Sequence, residues 1–202
     1  MEHKQTKDIV PEQQTGKAIY AESSVEMNDD MSAMIFFEEV KKRLSNVNQW
    51  HNLTTGLTAK FQLVSDKGKT VERTVRKGDY CKIDVPGPGT HAGEGFDWVR
   101  VEEMESMSSQ EEEFFAFRVR PTESPLSENS DVAHFYSPES TSTFTVTRNG
   151  NRITAGIYDR NTKPNDEAYF AFDKIRDAVV AVAGLVGLSK IQWKKLTDGL
   201  IK

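Results

Sequence analysis

Residues 144–155 read FTVTRNGNRITA, two alternating runs that meet at Asn149-Gly150. Asn and Gly tolerate the positive φ that a type I′ turn needs at both central residues, so the stretch predicts a β-hairpin. Turning there pairs Val146 with Ile153 and Phe144 with Ala155, which puts the apolar residues of both strands on one face. A strand pair with one apolar face requires a second layer to cover it.

Outward from this hairpin the period of two continues. Phe115, Phe117 and Val119 alternate with Ala116 and Arg118. Trp98, Val99 and Val101 precede them, then Cys81, Ile83 and Val85 alternate with Lys82 and Asp84, and Ala59, Phe61 and Leu63 with Lys60 and Gln62. Each run reads as a half-buried strand. Turns at Asp66-Lys67-Gly68 and Lys77-Gly78-Asp79 bracket a returning strand at 70–76, and a short strand is expected at 132–136 within the long connection 121–141. Near the start, 18–27 reads as a first strand, and Asn28, Asp29 and Asp30 supply capping oxygens for a helix with the stripe Phe37, Val40, Leu44 and Val47. Beyond the hairpin, Pro164 opens a long helix whose stripe is Phe172, Ile175, Val179, Val182 and Val186. Gly184 and Gly187 weaken its end, and Ser189 with Gln192 forms a capping box for a last short helix carrying Ile191, Trp193, Leu196 and Leu200.

Strands segregated from helices predict an α+β fold: a curved antiparallel sheet of six to seven strands with the long helix packed on it. The expected organisation is a flexible tail over 1–17, one domain over 18–187 and a short helix over 188–202.

Composition narrows the function classes. The 202 residues are 28% charged and 37% hydrophobic, which is globular rather than collagenous or wholly disordered. Lys+Arg 26 against Asp+Glu 31 gives a net charge of −5, so no basic field attracts nucleic acid or anionic lipid. The single Cys81 excludes an internal disulfide and a multi-Cys metal site, and it reads as a packed inward residue rather than a reactive one. The apolar run 178–188 falls short of the roughly 20 residues that a membrane span needs, and 1–17 lack the apolar core of a signal peptide. A cytoplasmic protein is expected.

The order of elements resembles the helix-grip fold of START-like proteins, the polyketide-cyclase and lipid-transfer superfamily. Residues 37–53 (FEEVKKRLSNVNQWHNL) are similar to that superfamily's first helix and Trp-bearing turn, and 77–85 (KGDYCKIDV) to its Gly-Asp-then-strand segment. The likeness covers about residues 18–186; the Pro/Gly loop 86–95, the connection 121–141 and the helix after Gly187 depart from it. It implies a cavity between sheet and long helix that holds a small apolar or amphipathic ligand. The alternative is an SH3-like barrel with appended helices, which Lys77-Gly78-Asp79 and 95–101 (GFDWVRV) also resemble; it leaves the final hairpin and the helices unexplained.

On the helix-grip reading, Phe61, Trp98, Phe115, Phe117, Phe144 and Phe172 line the cavity, and His91, Glu94 and His134 flank its mouth. No cofactor or metal is expected: loop 86–95 lacks the Lys-Ser/Thr of a P-loop, and His3, His51, His91 and His134 show no metal-ligand spacing. No Gly-x-Ser-x-Gly nucleophile elbow is present, so catalytic residues are expected to be none. The acidic runs at 102–105 and 111–113 read as solvated surface, and Arg118, Arg120, Arg148 and Arg152 as cross-strand ion-pair partners. Two other functions stand beside ligand binding. One is a solid interaction module whose last helix, through Trp193, Leu196 and Leu200, docks on a partner or on a second copy as a homo-oligomer. The other is a cyclase- or hydratase-like enzyme, which requires His91, His134, Glu94 or Asp97 to converge.

Overall fold

Seven strands form one antiparallel sheet in the computed structural model, which describes residues 9–53, 56, 59–85, 91–127, 130–165 and 178–202. They are β1 (Lys17–Glu26), β2 (Lys60–Val64), β3 (Tyr80–Asp84), β4 (Asp97–Ser108), β5 (Glu112–Pro121), β6 (Thr141–Asn149) and β7 (Arg152–Thr162). Helix α1 (Asp30–Ser45), a 3₁₀ turn (Val47–Gln49) and the single turn α2 (Trp50–Leu53) lie between β1 and β2, and α3 (Ala178–Leu200) follows β7. The order across the sheet is β1-β7-β6-β5-β4-β3-β2. This is the α+β helix-grip architecture. With β1 and β2 at opposite edges, no SH3-like barrel closes.

The core sits on the inward face. Residues of one parity point there: Phe61 and Leu63, Cys81 and Ile83, Val99 and Val101, Phe115 to Val119, Phe144 and Val146, Ile153 to Ile157. Helix α1 covers one end of this face. Asp29 caps it by accepting the Ser32 N–H at 2.7 Å, and Phe37, Val40 and Leu44 form its buried stripe. Burying such side chains is worth about 1.5–3 kcal/mol each, more than any single hydrogen bond contributes.

The final hairpin forms with a register displaced by two residues. Val146 faces Ala155, Phe144 faces Ile157 and Arg148 faces Ile153. A displacement of two keeps every side chain on its face, so hydrophobic pattern alone cannot detect it. The loop is Gly150-Asn151, and Gly150 takes a positive φ of 56° while Asn151 does not, so the expected I′ turn does not form. Tertiary contacts shape it instead. Arg148 donates to the carbonyls of Gly150 (3.0 Å) and Gln110 (3.1 Å), and Asn151 Nδ2 donates to that of Met27 (2.9 Å).

Three other expectations are corrected. The returning strand at 70–76 is reduced to one bridge, Thr70 with Val64. Asn48 occupies that edge of β2: its Oδ1 takes the Leu63 N–H at 2.6 Å and its Nδ2 donates to Val71 O at 2.8 Å. At 132–136 only Tyr136 bridges, and its partner is Pro164; Asn165 N donates to Phe135 O at 2.8 Å. Pro164 therefore lies in an extended pairing, and residues 166–177, over which a helix from Pro164 was expected, lie outside the described residues. Finally, the tail is not free over its whole length. Ile9 is buried against Phe114 and Ala116 on the outward face, and its carbonyl accepts from Arg118 Nη1 at 2.8 Å.

Helix α3 runs without a break through Gly184, Gly187 and Ser189, so no separate helix starts at 188. Glycine costs about 1 kcal/mol in a helix, and the complete burial of Leu196 and Leu200 outweighs it. Polar contacts hold this end on β1. Ser23 Oγ donates to Asp198 at 2.6 Å and accepts from Lys194 Nζ at 2.7 Å. At Gly199 an added Cβ would stand 2.6 Å from Leu53 O, so a hydrogen there allows α3 to reach α2. The described grip comes from Trp193, Leu196 and Leu200. Phe172 and Ile175 lie outside the described residues, as do the side chains of Val179, Val182 and Val186. Among the described residues no helix is long and apolar enough to cross a membrane.

Candidate functional site: a cavity with one polar edge

A cavity of about 180 Å³ lies between the inward sheet face and α3. Its apolar wall is aromatic. The Trp50 ring sits 4.9 Å from Phe61 and 5.0 Å from Phe144, centroid to centroid; Phe117 stacks on Phe144 at 4.9 Å, and Trp193 meets Phe144 edge-on at 5.5 Å. Trp50 is fixed by its own indole N–H, which donates to Leu44 O at 3.1 Å. Rings locked in such pairs do not collapse into the space beside them. Ile83, Val99, Val119 and Cys81 complete the apolar surface. Burial pushes the Cys81 thiol up to about 12, which leaves it protonated and unreactive.

The opposite edge is polar, built by Asp159 and Ser142 from β7 and β6, by His134 and Tyr136 from the segment after β5, and by Ser189 and Gln192 from α3. Asp159 is 1% exposed. Its position follows from parity: Ile153, Ala155, Ile157 and Asp159 form the inward row of β7, so the strand delivers a carboxylate where the pattern calls for an apolar residue. Asp159 Oδ2 accepts the Trp193 indole N–H at 2.7 Å, while Oδ1 has no hydrogen-bond partner among the described residues. Burial raises its pKa to about 6, against the pull of the Ser142 hydroxyl, the Trp193 indole and the Arg160 charge. His134 is fully neutral, its pKa pushed down to about 3 by burial. Its Nδ1 accepts the Tyr136 N–H at 2.9 Å, so the ring proton sits on Nε2. Burial also raises Tyr136, whose hydroxyl lies 3.4 Å from Ser189 Oγ.

Of the residues expected to line a cavity, Phe61, Phe117 and Phe144 do so, and His134 stands at the polar edge. Trp98 does not: one residue out of phase with Val99, it packs with Val64, Ala92 and Ala133 on the outward face. Phe115 faces inward but lies beyond the cavity, where its ring is 5.9 Å from Lys41 Nζ of α1. His91 and Glu94 are exposed in the turn before β4 and do not touch the cavity. Asp97 is buried, with a pKa pushed up to about 7 by burial, and the Phe135 N–H draws it down. The acid–base set that a cyclase or hydratase requires is thus not assembled from His91 and Glu94. Trp193 was expected on a docking face and is a half-buried part of the cavity wall, and Leu196 and Leu200 are spent in the chain's own core, so these two leucines offer no surface to a second copy. Among the described residues no cluster of three His, Cys, Asp or Glu side chains could hold a metal ion.

Sequence reasoning missed Trp50, Tyr136, Asp159 and Trp193. For Asp159 a signal was present: it continues the inward parity of the most regular strand in the chain.

No family model matches the chain, and no curated protein matches it by sequence. Solved structures do. A hypothetical protein from Helicobacter pylori is similar at 14% identity over 93% of this chain and 87% of its own, with a TM-score of 0.51. Norcoclaurine synthase from Thalictrum flavum (13% identity, 87% and 93% covered, TM-score 0.37) and the ginseng major latex-like protein 151 from Panax ginseng (11%, 89% and 99%, TM-score 0.34) are more distant. The first likeness speaks to the fold alone, and the other two carry no argument. The fold is a helix grip, established by its own strand order and helix placement.

Proposed function

We propose that the protein is a binder of a small apolar ligand, about one ring in size, held between the sheet and α3. The observation that carries this reading is the open space itself: about 180 Å³ enclosed mainly by Trp50, Phe61, Phe117, Phe144 and Trp193. An apolar cavity of about 150 Å³ suffices for benzene, whereas drug-sized ligands occupy roughly 300–1,000 Å³. The size favours a single ring over a sterol or a fatty acid. With His91 and Glu94 on the outer surface, binding is a better account than turnover. A free, buried Cys81 suits the cytoplasm, and the net charge of −5 suits a partner other than nucleic acid.

Thermal melts with toluene, indole, naphthalene and dodecanoate test this. Toluene, the single-ring probe, is expected to raise the melting temperature in proportion to the logarithm of concentration, the gain reaching about 2.7 kcal/mol at a hundred times Kd. No shift with any of the four, together with exclusion of an environment-sensitive dye, would refute a ligand cavity.

A further inference from the structure

The cavity's polar edge holds a carboxylate without an ion-pair partner among the described residues. Asp159 is 1% exposed, and among the described residues no Lys, Arg or His forms an ion pair with it. Its neighbour Arg160 is turned to the other face, where its guanidinium lies over the Tyr158 ring at 5.7 Å and donates to the backbone carbonyl of Asp159 at 3.0 Å. The one donor bound to the carboxylate with hydrogen-bond geometry is the neutral indole of Trp193, which engages Oδ2; Oδ1, itself buried, has no hydrogen-bond partner among the described residues, and Asp159 is one of the residues that line the cavity. Buried charges in proteins are normally paired, because an unpaired one forfeits its hydration for nothing.

We infer that the ligand carries a protonated amine on its apolar body, and that the ammonium docks on Asp159 Oδ1 while the body lies against Phe144 and Phe117. This rests on the binding reading above and names the chemical class of what is bound. A neutral hydroxyl would satisfy the open lone pair and leave the charge. An ammonium satisfies the lone pair and compensates the charge, and hydrogen bonds with an ionised partner are about twice as strong as neutral ones. Tyr136 and Ser142 lie on the same edge, where they can receive the ammonium's remaining N–H groups.

Three probes of one size separate the possibilities: benzylamine, benzyl alcohol and toluene, titrated calorimetrically into the full chain at pH 7.5. Benzylamine is expected to bind about tenfold more tightly than either neutral probe. In Asp159→Asn, or in Asp159→Leu if the first variant does not fold, the amine preference is expected to fall to about threefold or less while toluene still binds. Toluene binding as well as benzylamine to the wild-type chain overturns the amine and leaves the apolar-ligand reading intact. Benzyl alcohol matching benzylamine overturns the charge argument in favour of a neutral donor. A full amine preference in a folded Asp159 variant overturns the residue assignment. If none of the three binds the wild-type chain, the ligand-binding reading itself fails.

Discussion

The two ends of the β6–β7 hairpin each bury one charge in the inward row, and they treat it differently. At the turn end Arg148, with its side chain 0% exposed, gives Nε to Glu113 Oε2 at 2.6 Å and spreads Nη1 and Nη2 over the carbonyls of Ser109, Gln110, Glu111 and Gly150. At the open end Asp159 has the Trp193 indole on one oxygen and no such partner on the other. Arg148 ties the β4–β5 loop to the β6–β7 turn and leaves nothing for a ligand. Asp159 stabilises nothing so completely. A saturated buried charge is structural, whereas the carboxylate with one unpartnered oxygen beside the cavity is the feature on which the proposed amine site rests.

The largest effect is expected at the saturated end. Arg148→Met strands Glu113 and should cost about 3–5 kcal/mol in urea unfolding, with most of it recovered when Glu113→Leu is added. A loss below about 1 kcal/mol would mean that the network does not hold the two loops together.

At the open end the sign reverses. The folded pKa of Asp159, about 6, lies above the unfolded value near 3.8. Between those values the folded chain keeps a proton that the unfolded chain has released, so this contribution to stability is full below about pH 4 and is lost as pH rises through 6. Asp159→Asn should therefore stabilise the ligand-free protein at pH 8 by up to about 3 kcal/mol, and by little at pH 4. Asp97, also raised, retains its own slope in both proteins, so the difference between them isolates Asp159. Equal destabilisation at both pH values would show that the carboxylate is structural after all.

Trp193→Phe removes the indole donor from Asp159 Oδ2. It should cost about 1 kcal/mol and move the carboxyl pKa further up, read by carbon-detected NMR titration; a downward movement would exclude the indole as its donor. The smallest effect is expected at a charge outside both rows. Arg152 and Glu26, 57% and 69% exposed, stand 3.5 Å apart, and Arg152→Gln should change stability by less than about 0.5 kcal/mol.

Much of the fold was legible because period and burial are tightly coupled in a one-sided sheet. The parity of Phe117, Phe144 and Phe61 gave their inward placement, and the Phe37–Leu44 stripe gave α1. Arg118 and Arg120 were readable as ion-pair partners, and both reach Glu102 at the β4 bulge. The errors have two causes, a misread parity and distant partners. Trp98 was assigned with Val99 although adjacent strand residues face opposite ways. The 70–76 strand was displaced by Asn48, a side chain more than 20 residues earlier, and a break at Ser189 was overridden by burial of Leu196 and Leu200. Local propensity has no term for such partners.

By itself the sequence determined which residues turn inward, because alternation fixes the face whatever the register. The same alternation carries Arg148 and Asp159 into the inward row, although sequence reasoning marked Arg148 only as an ion-pair partner and passed over Asp159. Whether each buried charge would be satisfied was decided only in three dimensions. The carbonyls around Arg148 come from a loop some 40 residues away, and the indole on Asp159 from a helix more than 30 residues further on. The cavity was settled at the same level, since the volume left between rings depends on how Trp50, Phe144 and Trp193 pack against one another, and one-dimensional pattern does not encode those angles.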